Sequence, residues 1–185
     1  MRLNIEETIK SIKTELEISC NVNILLSGRK PWSGLVKQTF IKLAISQNCR
    51  ACCSLSEVVK ATLTPEEQDA VNWGEWLYDL VWYTSVIDKY ENRDIERTTS
   101  IPLVMECEWD ATLDAIALDF DKLLVANADL RVMVCGGYKN FPSDAIIEQC
   151  KRAVQTYEQG HIGDTFLVCI VPEEGDPECT EIIRR

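Results

Sequence analysis

The sequence contains a single histidine, eight glycines and six prolines in 185 residues, and each shortage excludes something. A lone His161, with no serine or cysteine motif around it, leaves no histidine-rich metal centre and no nucleophile–histidine pair. So few glycines and prolines argue against a linker-rich, collagen-like or low-complexity chain. No run of about 18 apolar residues occurs, so no membrane-spanning helix is expected. The opening Met1-Arg2-Leu3-Asn4-Ile5 lacks the apolar stretch of an export signal. The expectation is a soluble, cytoplasmic protein with no membrane partner.

What is present is ordinary globular composition, 46% hydrophobic and 26% charged. A chain of this length buries roughly 70% of the surface that it exposes when unfolded, so one domain can stand without disulfides or a structural metal. The nine cysteines are odd in number and therefore read as reduced thiols. Cys107, Cys135 and Cys169 lie in apolar runs, where cysteine acts as a small hydrophobe. Cys49-Arg50-Ala51-Cys52-Cys53 has zinc-ligand spacing, but no second cysteine pair completes a tetrahedral set.

The net charge of -11 argues against a surface that greets polyanions everywhere. It is unevenly spread. Residues 18–56 contain no Asp or Glu but carry Arg29, Lys30, Lys37, Lys42 and Arg50. That stretch either faces a polyanion, with Arg29, Lys30, Lys37 and Lys42 as candidate nucleic-acid contacts, or is a plain solvated face.

Asn4 and Glu7 have the form of a capping box, and Ile5, Ile9, Ile12 and Leu16 recur at helical spacing, so residues 5–18 read as an amphipathic helix. A second helix is expected over 34–47, a short strand over 50–55, and a helix start at Thr64-Pro65-Glu66-Glu67. Residues 76–83 and 101–109 read as strands, with the polar segment 88–100 between them as a loop or helical excursion. Leu113, Ile116, Phe120, Leu123 and Leu124 mark a helix, 130–135 a strand closed by Gly136-Gly137, 143–159 a helix, and 166–171 a buried strand. The acidic end, with Pro172 and Pro177, is expected to fray. Together these predict an α/β domain with a central mixed sheet flanked by helices, divided into an N-terminal helical extension (1–33), a core (34–171) and an acidic tail (172–185).

Charged side chains inside apolar strands need a partner or a task. Asp79 interrupts the first aromatic strand, and Glu106 and Glu108 interrupt the next, sharing one face because strand side chains alternate. If the two strands pair, three carboxylates converge and would call for a hard divalent cation, Mg²⁺ or Mn²⁺, able to activate water against a phosphodiester.

A helix, a strand, a strand bearing Asp, a strand ending in Glu-x-Glu, then a helix and an apolar strand resembles the restriction-endonuclease-like (PD-(D/E)XK) nucleases. The resemblance covers about residues 34–136. It implies that fold, a Mg²⁺-dependent nuclease activity, Asp79 as the metal-binding Asp and Glu106 as the first acid of the following strand. Glu108 stands where most members carry the catalytic lysine, and Lys122 is the candidate replacement, although it lies about 200° round the helix from buried Phe120 and so should face solvent, paired with Asp119. Gln38 is the candidate polar group of the preceding helix. The competing expectation is a catalytically inactive member of the same fold, serving as a protein-binding or regulatory module; a homodimer is compatible with either.

Overall fold

The computed structural model describes residues 2–23, 29–110, 112–137, 142–172 and 175–185, with backbone alone for 21–23 and 29–31. Helices α1 (Ile5–Asn23) and α2 (Arg29–Ser46) lead into strand β1 (Arg50–Cys53). Two short helices, α3 (Glu57–Lys60) and α4 (Pro65–Asp69), precede strand β2 (Val71–Trp73). The long strands β3 (Leu80–Tyr90) and β4 (Arg93–Glu108) follow, then α5 (Leu113–Leu124), β5 (Leu130–Gly136), α6 (Ser143–Thr156), β6 (Thr165–Val171) and β7 (Glu178–Ile183). The strands form one seven-stranded mixed sheet in the order β2-β1-β3-β4-β5-β6-β7. The α/β class expected from the sequence is borne out.

Alternation along the strands divides the interior into two cores. Leu80, Trp82, Leu103, Met105, Val132 and Leu167 face α1 and α2, where Ile12, Leu16, Phe40 and Ile41 meet them. Val81, Val104, Met133 and Val168 face α5 and α6, against Ile116, Phe120, Leu123, Ile146 and Val154. Strands β5 and β6 are buried along their whole length, which is why they read as near-continuous apolar runs; the one charge within β5, Arg131, is buried too, donating to the Ala126 carbonyl and pairing with Asp164 at 3.1 Å. β4 pairs β5, and β5 pairs β6, in parallel across the α5 and α6 crossovers.

Local signals operate where expected. Thr64 and Glu67 make a reciprocal capping box with Pro65 in the first turn of α4. Thr112 caps α5 by accepting the Ala115 N–H. Trp82 is fully buried, and its indole N–H donates to the Phe40 carbonyl at 3.0 Å, tying β3 to α2.

Three expectations are corrected. Residues 88–100 are neither loop nor helix but the two sides of a β-hairpin: β3 continues to Tyr90, Glu91 and Asn92 turn with φ of 49° and 64°, and β4 returns. Two consecutive left-handed residues match the right-handed twist of the strands they join. The arm meets water on both faces, so it carries no alternating apolar pattern. Second, the strand expected from residue 76 begins only at Leu80, because Asp79 spends its carboxylate on the Cys107 backbone N–H at 2.9 Å. Third, the C-terminal end does not fray. β7 pairs antiparallel with β6 and buries Ile182, while Glu173 and Glu174 lie outside the described residues.

The Trp82 anchor generates a prediction. Trp82→Ala should lower the unfolding free energy by about 3–5 kcal/mol, through lost contact and a cavity. Val86→Ser, on the exposed arm, should change it by less than about 0.5 kcal/mol. Urea titrations of the two variants check this, and equal effects would refute the division into core and arm.

Candidate functional site

The site lies where β3 begins and β4 ends. The β3–β4 register pairs Leu80 with Met105, so the next antiparallel step sets Asp79 beside Glu106. Glu106 is 1% exposed, and burial pushes its carboxyl up to about 8, with the nearby Asp79 charge adding to the rise and Lys122 opposing it. Lys122 Nζ donates to Glu106 Oε2 at 3.2 Å and contacts Asp119 Oδ1 at 2.8 Å. The other oxygen, Glu106 Oε1, is buried and has no hydrogen-bond partner. A carboxyl left half-satisfied in this way is costly, and it gains from a proton or a cation on that oxygen.

Two lysines serve the acids. Lys37 of α2 is 6% exposed and places Nζ 2.9 Å from Asp79 Oδ1 and 3.7 Å from Glu75. Burial works against its charge, but the hydrogen bond and charge of Asp79 outweigh it and hold the ammonium above its ordinary range. Burial likewise opposes Lys122, and Asp119 with Glu106 more than restores it. Glu108 turns to a different partner set: the Asp110 N–H donates to its Oε1 at 2.5 Å, and burial together with a hydrogen bond to Asp119 raises its carboxyl. Tyr78, half-buried, completes the surroundings, its phenol raised by burial and then by the Glu106 charge.

The sequence-derived site residues fall as follows. Asp79 and Glu106 are neighbours in register, but Asp79 is held by Lys37 of α2 and Glu106 by Lys122 of α5, helices on opposite faces of the sheet. Glu108 joins Glu106 at one remove, through Asp119 and Lys122. Lys122 does not simply face solvent: it keeps the Asp119 pair expected for it, and its four-carbon stem carries Nζ back to the sheet. Lys37 faces inward as the partner of Asp79, which removes it from the expected phosphate contacts, and it is Lys37 that α2 brings to this carboxylate beside the expected Gln38. Lys42 is exposed in a surface groove with Glu7, Lys10 and Glu15. The side chains of Arg29 and Lys30 lie outside the described residues. Arg50 pairs with Glu96 at 2.7 Å. Sequence reasoning missed Lys37 as an acid partner and Tyr78 altogether; nothing in a linear charge count distinguishes an inward lysine from an outward one.

A divalent cation is tested by the donors available. Among the described residues no group of three or more His, Cys, Asp or Glu gathers as a metal-holding cluster. The three-carboxylate convergence expected from the sequence is therefore not formed among the described residues; Asp79 and Glu106 remain as register neighbours, each with its own lysine. Two carboxylates still suit Mg²⁺, which keeps several waters and is commonly held by one or two acids together with substrate phosphate. Zinc at Cys49, Cys52 and Cys53 has no such support: Cys52 and Cys53 point into opposite cores of the sheet. His161 is an exposed loop residue, and Gly137 ends β5 by donating to the Val171 carbonyl at 2.7 Å. No helix among the described residues is long and apolar enough to cross a membrane.

Comparison with protein-family models, with curated proteins and with solved structures finds no match to this chain.

The raised Glu106 carboxyl sets a pH dependence. In the folded state it retains a proton that the unfolded chain, with an ordinary value of 4.5, has released. The protein should therefore lose stability as pH climbs from about 4.5 to about 8, and lose no more from this group beyond that. Glu106→Gln removes the dependence, so its stability relative to wild type should rise by a few kcal/mol across the same window. Denaturant midpoints over a pH series measure this; a constant difference between the two proteins would show that Glu106 titrates normally.

Proposed function

We propose that the protein is a Mg²⁺- or Mn²⁺-dependent phosphodiester hydrolase acting on nucleic acid, built on a restriction-endonuclease-like core. The observation that carries the proposal is the buried Glu106 with an unpartnered oxygen beside Asp79. The order of elements supports it as well. A helix, three successively antiparallel strands β1, β3 and β4, then α5 and the parallel strand β5 are the pieces expected of that core, in the expected sequence. The acids also sit at the carboxyl end of β4, where open α/β sheets place their ligands.

In this reading Asp79 and Glu106 would hold the cation, which when bound supplies polarisation of the phosphodiester and a more acidic water. The remaining work belongs to the chain. Lys122 Nζ, fixed by Asp119, offers a positive charge beside Glu106 for the negative charge that develops on the phosphoryl oxygens. Lys37 holds Asp79 at the mouth of β3 and balances it when the site is empty of substrate. Glu108, bonded to Asp119, keeps that carboxylate directed at Lys122 and so acts as a positioning residue where a lysine is usual. Arg29 and Lys30 remain the proposed backbone contacts, whereas Lys42, in a groove with Glu7 and Glu15, is withdrawn from that role.

One observation favours the other reading, a non-catalytic binding or regulatory module. Each of the two acids already has a lysine, Asp79 with Lys37 and Glu106 with Lys122, so charge balance alone does not require a cation.

The two readings part on measurement. With purified protein and Mn²⁺ or Mg²⁺, cleavage of a labelled oligonucleotide should vanish for Asp79→Ala and Glu106→Ala and fall by about 10²–10³-fold for Lys122→Ala. Titration calorimetry should give a cation-binding heat in wild type that is lost in Asp79→Ala. Absence of any heat, with folded protein by circular dichroism, would leave the binding-module reading standing.

A further inference from the structure

The antiparallel register of β6 and β7 sets Cys169 directly opposite Cys179, the one cysteine-on-cysteine pairing among the described strand ladders. Facing residues in an antiparallel pair have Cα atoms about 4.5–5.5 Å apart, inside the range that a disulfide spans. The two thiols lie near enough to perturb one another's ionisation. Their exposures differ. Cys169 is fully buried in the core beneath α1, whereas Cys179, on the edge strand, is half-buried and reachable from solvent.

Their chemistry differs in the same sense. Burial holds the Cys169 thiol well above its ordinary range. Interaction with the Cys169 thiol and the charge of Lys13 on α1 lower Cys179 despite burial. The thiolate is the nucleophilic form, so Cys179 is the sulfur that reacts first, and Cys169 is a resolving thiol already in place. The other cysteines differ: Cys135 of β5 and Cys150 of α6 sense one another but are both fully buried, and Cys52 and Cys53 face opposite cores, each of the four with its thiol raised by burial.

We propose that Cys179 and Cys169 form a peroxide-reactive dithiol site that closes to a disulfide joining the last strand to the sheet. The co-substrate is a hydroperoxide. The Cys179 thiolate attacks one peroxide oxygen, the O–O bond breaks, and the leaving oxygen departs with a proton as water or an alcohol, leaving a sulfenic acid on Cys179. The Cys169 sulfur then attacks the Cys179 sulfur: the S–S bond forms, the S–O bond breaks, and the hydroxyl leaves as water with the Cys169 proton. Two thiols have together given two electrons to one peroxide. The proposal does not depend on phosphodiester chemistry, since this pair lies on β6 and β7 rather than at the junction of β3 and β4.

The test uses the native full chain. After brief treatment with hydrogen peroxide, the free-thiol count under denaturing conditions should fall by two from nine. Alkylation and digestion with a protease that cleaves before Asp176 separates the two cysteines, so the Cys169 and Cys179 peptides should appear joined and should part on reduction. Cys20→Ser, which removes the neighbouring thiol of α1, should leave that linkage intact, and Cys179→Ser should return Cys169 reduced. Recovery of Cys179 as a free thiol, as a sulfinic acid with Cys169 unmodified, or joined to Cys20 would overturn the proposal.

Discussion

A carboxyl group buried among apolar strands is the constraint around which one end of this molecule is organised. Removing a charge such as Glu106 from water costs several kcal/mol even after relaxation, and a single ion pair repays that only with good geometry. The chain meets the demand in layers. Lys122 reaches Glu106, Asp119 steadies Lys122, Glu108 engages Asp119, and on the far side Lys37 takes up the charge of Asp79. Even so, one oxygen of Glu106 is left without a partner, and the carboxyl responds by holding its proton. Elsewhere the sheet is mainly hydrophobic packing, with the buried Arg131 of β5 as the exception, its guanidinium donating to the Ala126 carbonyl and paired with Asp164.

Much of the architecture was legible in the residues because the physics behind it is local. Near-continuous apolar runs at β5 and β6 reflect strands covered on both faces, the stripe through Ile116, Phe120 and Leu123 reflects a helix with one buried side, and Thr64-Pro65 carries its own capping chemistry. The hairpin arm was illegible for the opposite reason. Neither of its faces is buried, so no apolar alternation records it, and the two-residue turn at Glu91-Asn92 leaves only a backbone signature. β7 was obscured by its acids, since a short edge strand needs only one buried residue, Ile182, to be worth pairing.

The site was half legible. Acids at Asp79, Glu106 and Glu108 stood out as charges in strands, and alternation gave their relative faces. Their partners did not stand out. The direction of Lys122 on a helical wheel describes its Cα, whereas a flexible stem of four carbons decides where the ammonium goes. Similarly, the acid-free stretch that looked like a basic surface is dismantled in three dimensions: Lys37 turns inward, Arg50 meets Glu96, and Lys42 sits among the acids of α1. A count of charges along the chain measures composition, not the field at the surface.

The β3–β4 arm has a consequence of its own. Because its outer half is wetted on both sides and, apart from the exposed Arg50–Glu96 ion pair, joined to the body through its own two strands, its hydrogen bonds can break without disturbing either core, and its amides should exchange with solvent long before those of β5 or β6. Its tip is therefore the place where an affinity sequence or a fluorophore can be grafted with the least injury to the rest of the molecule.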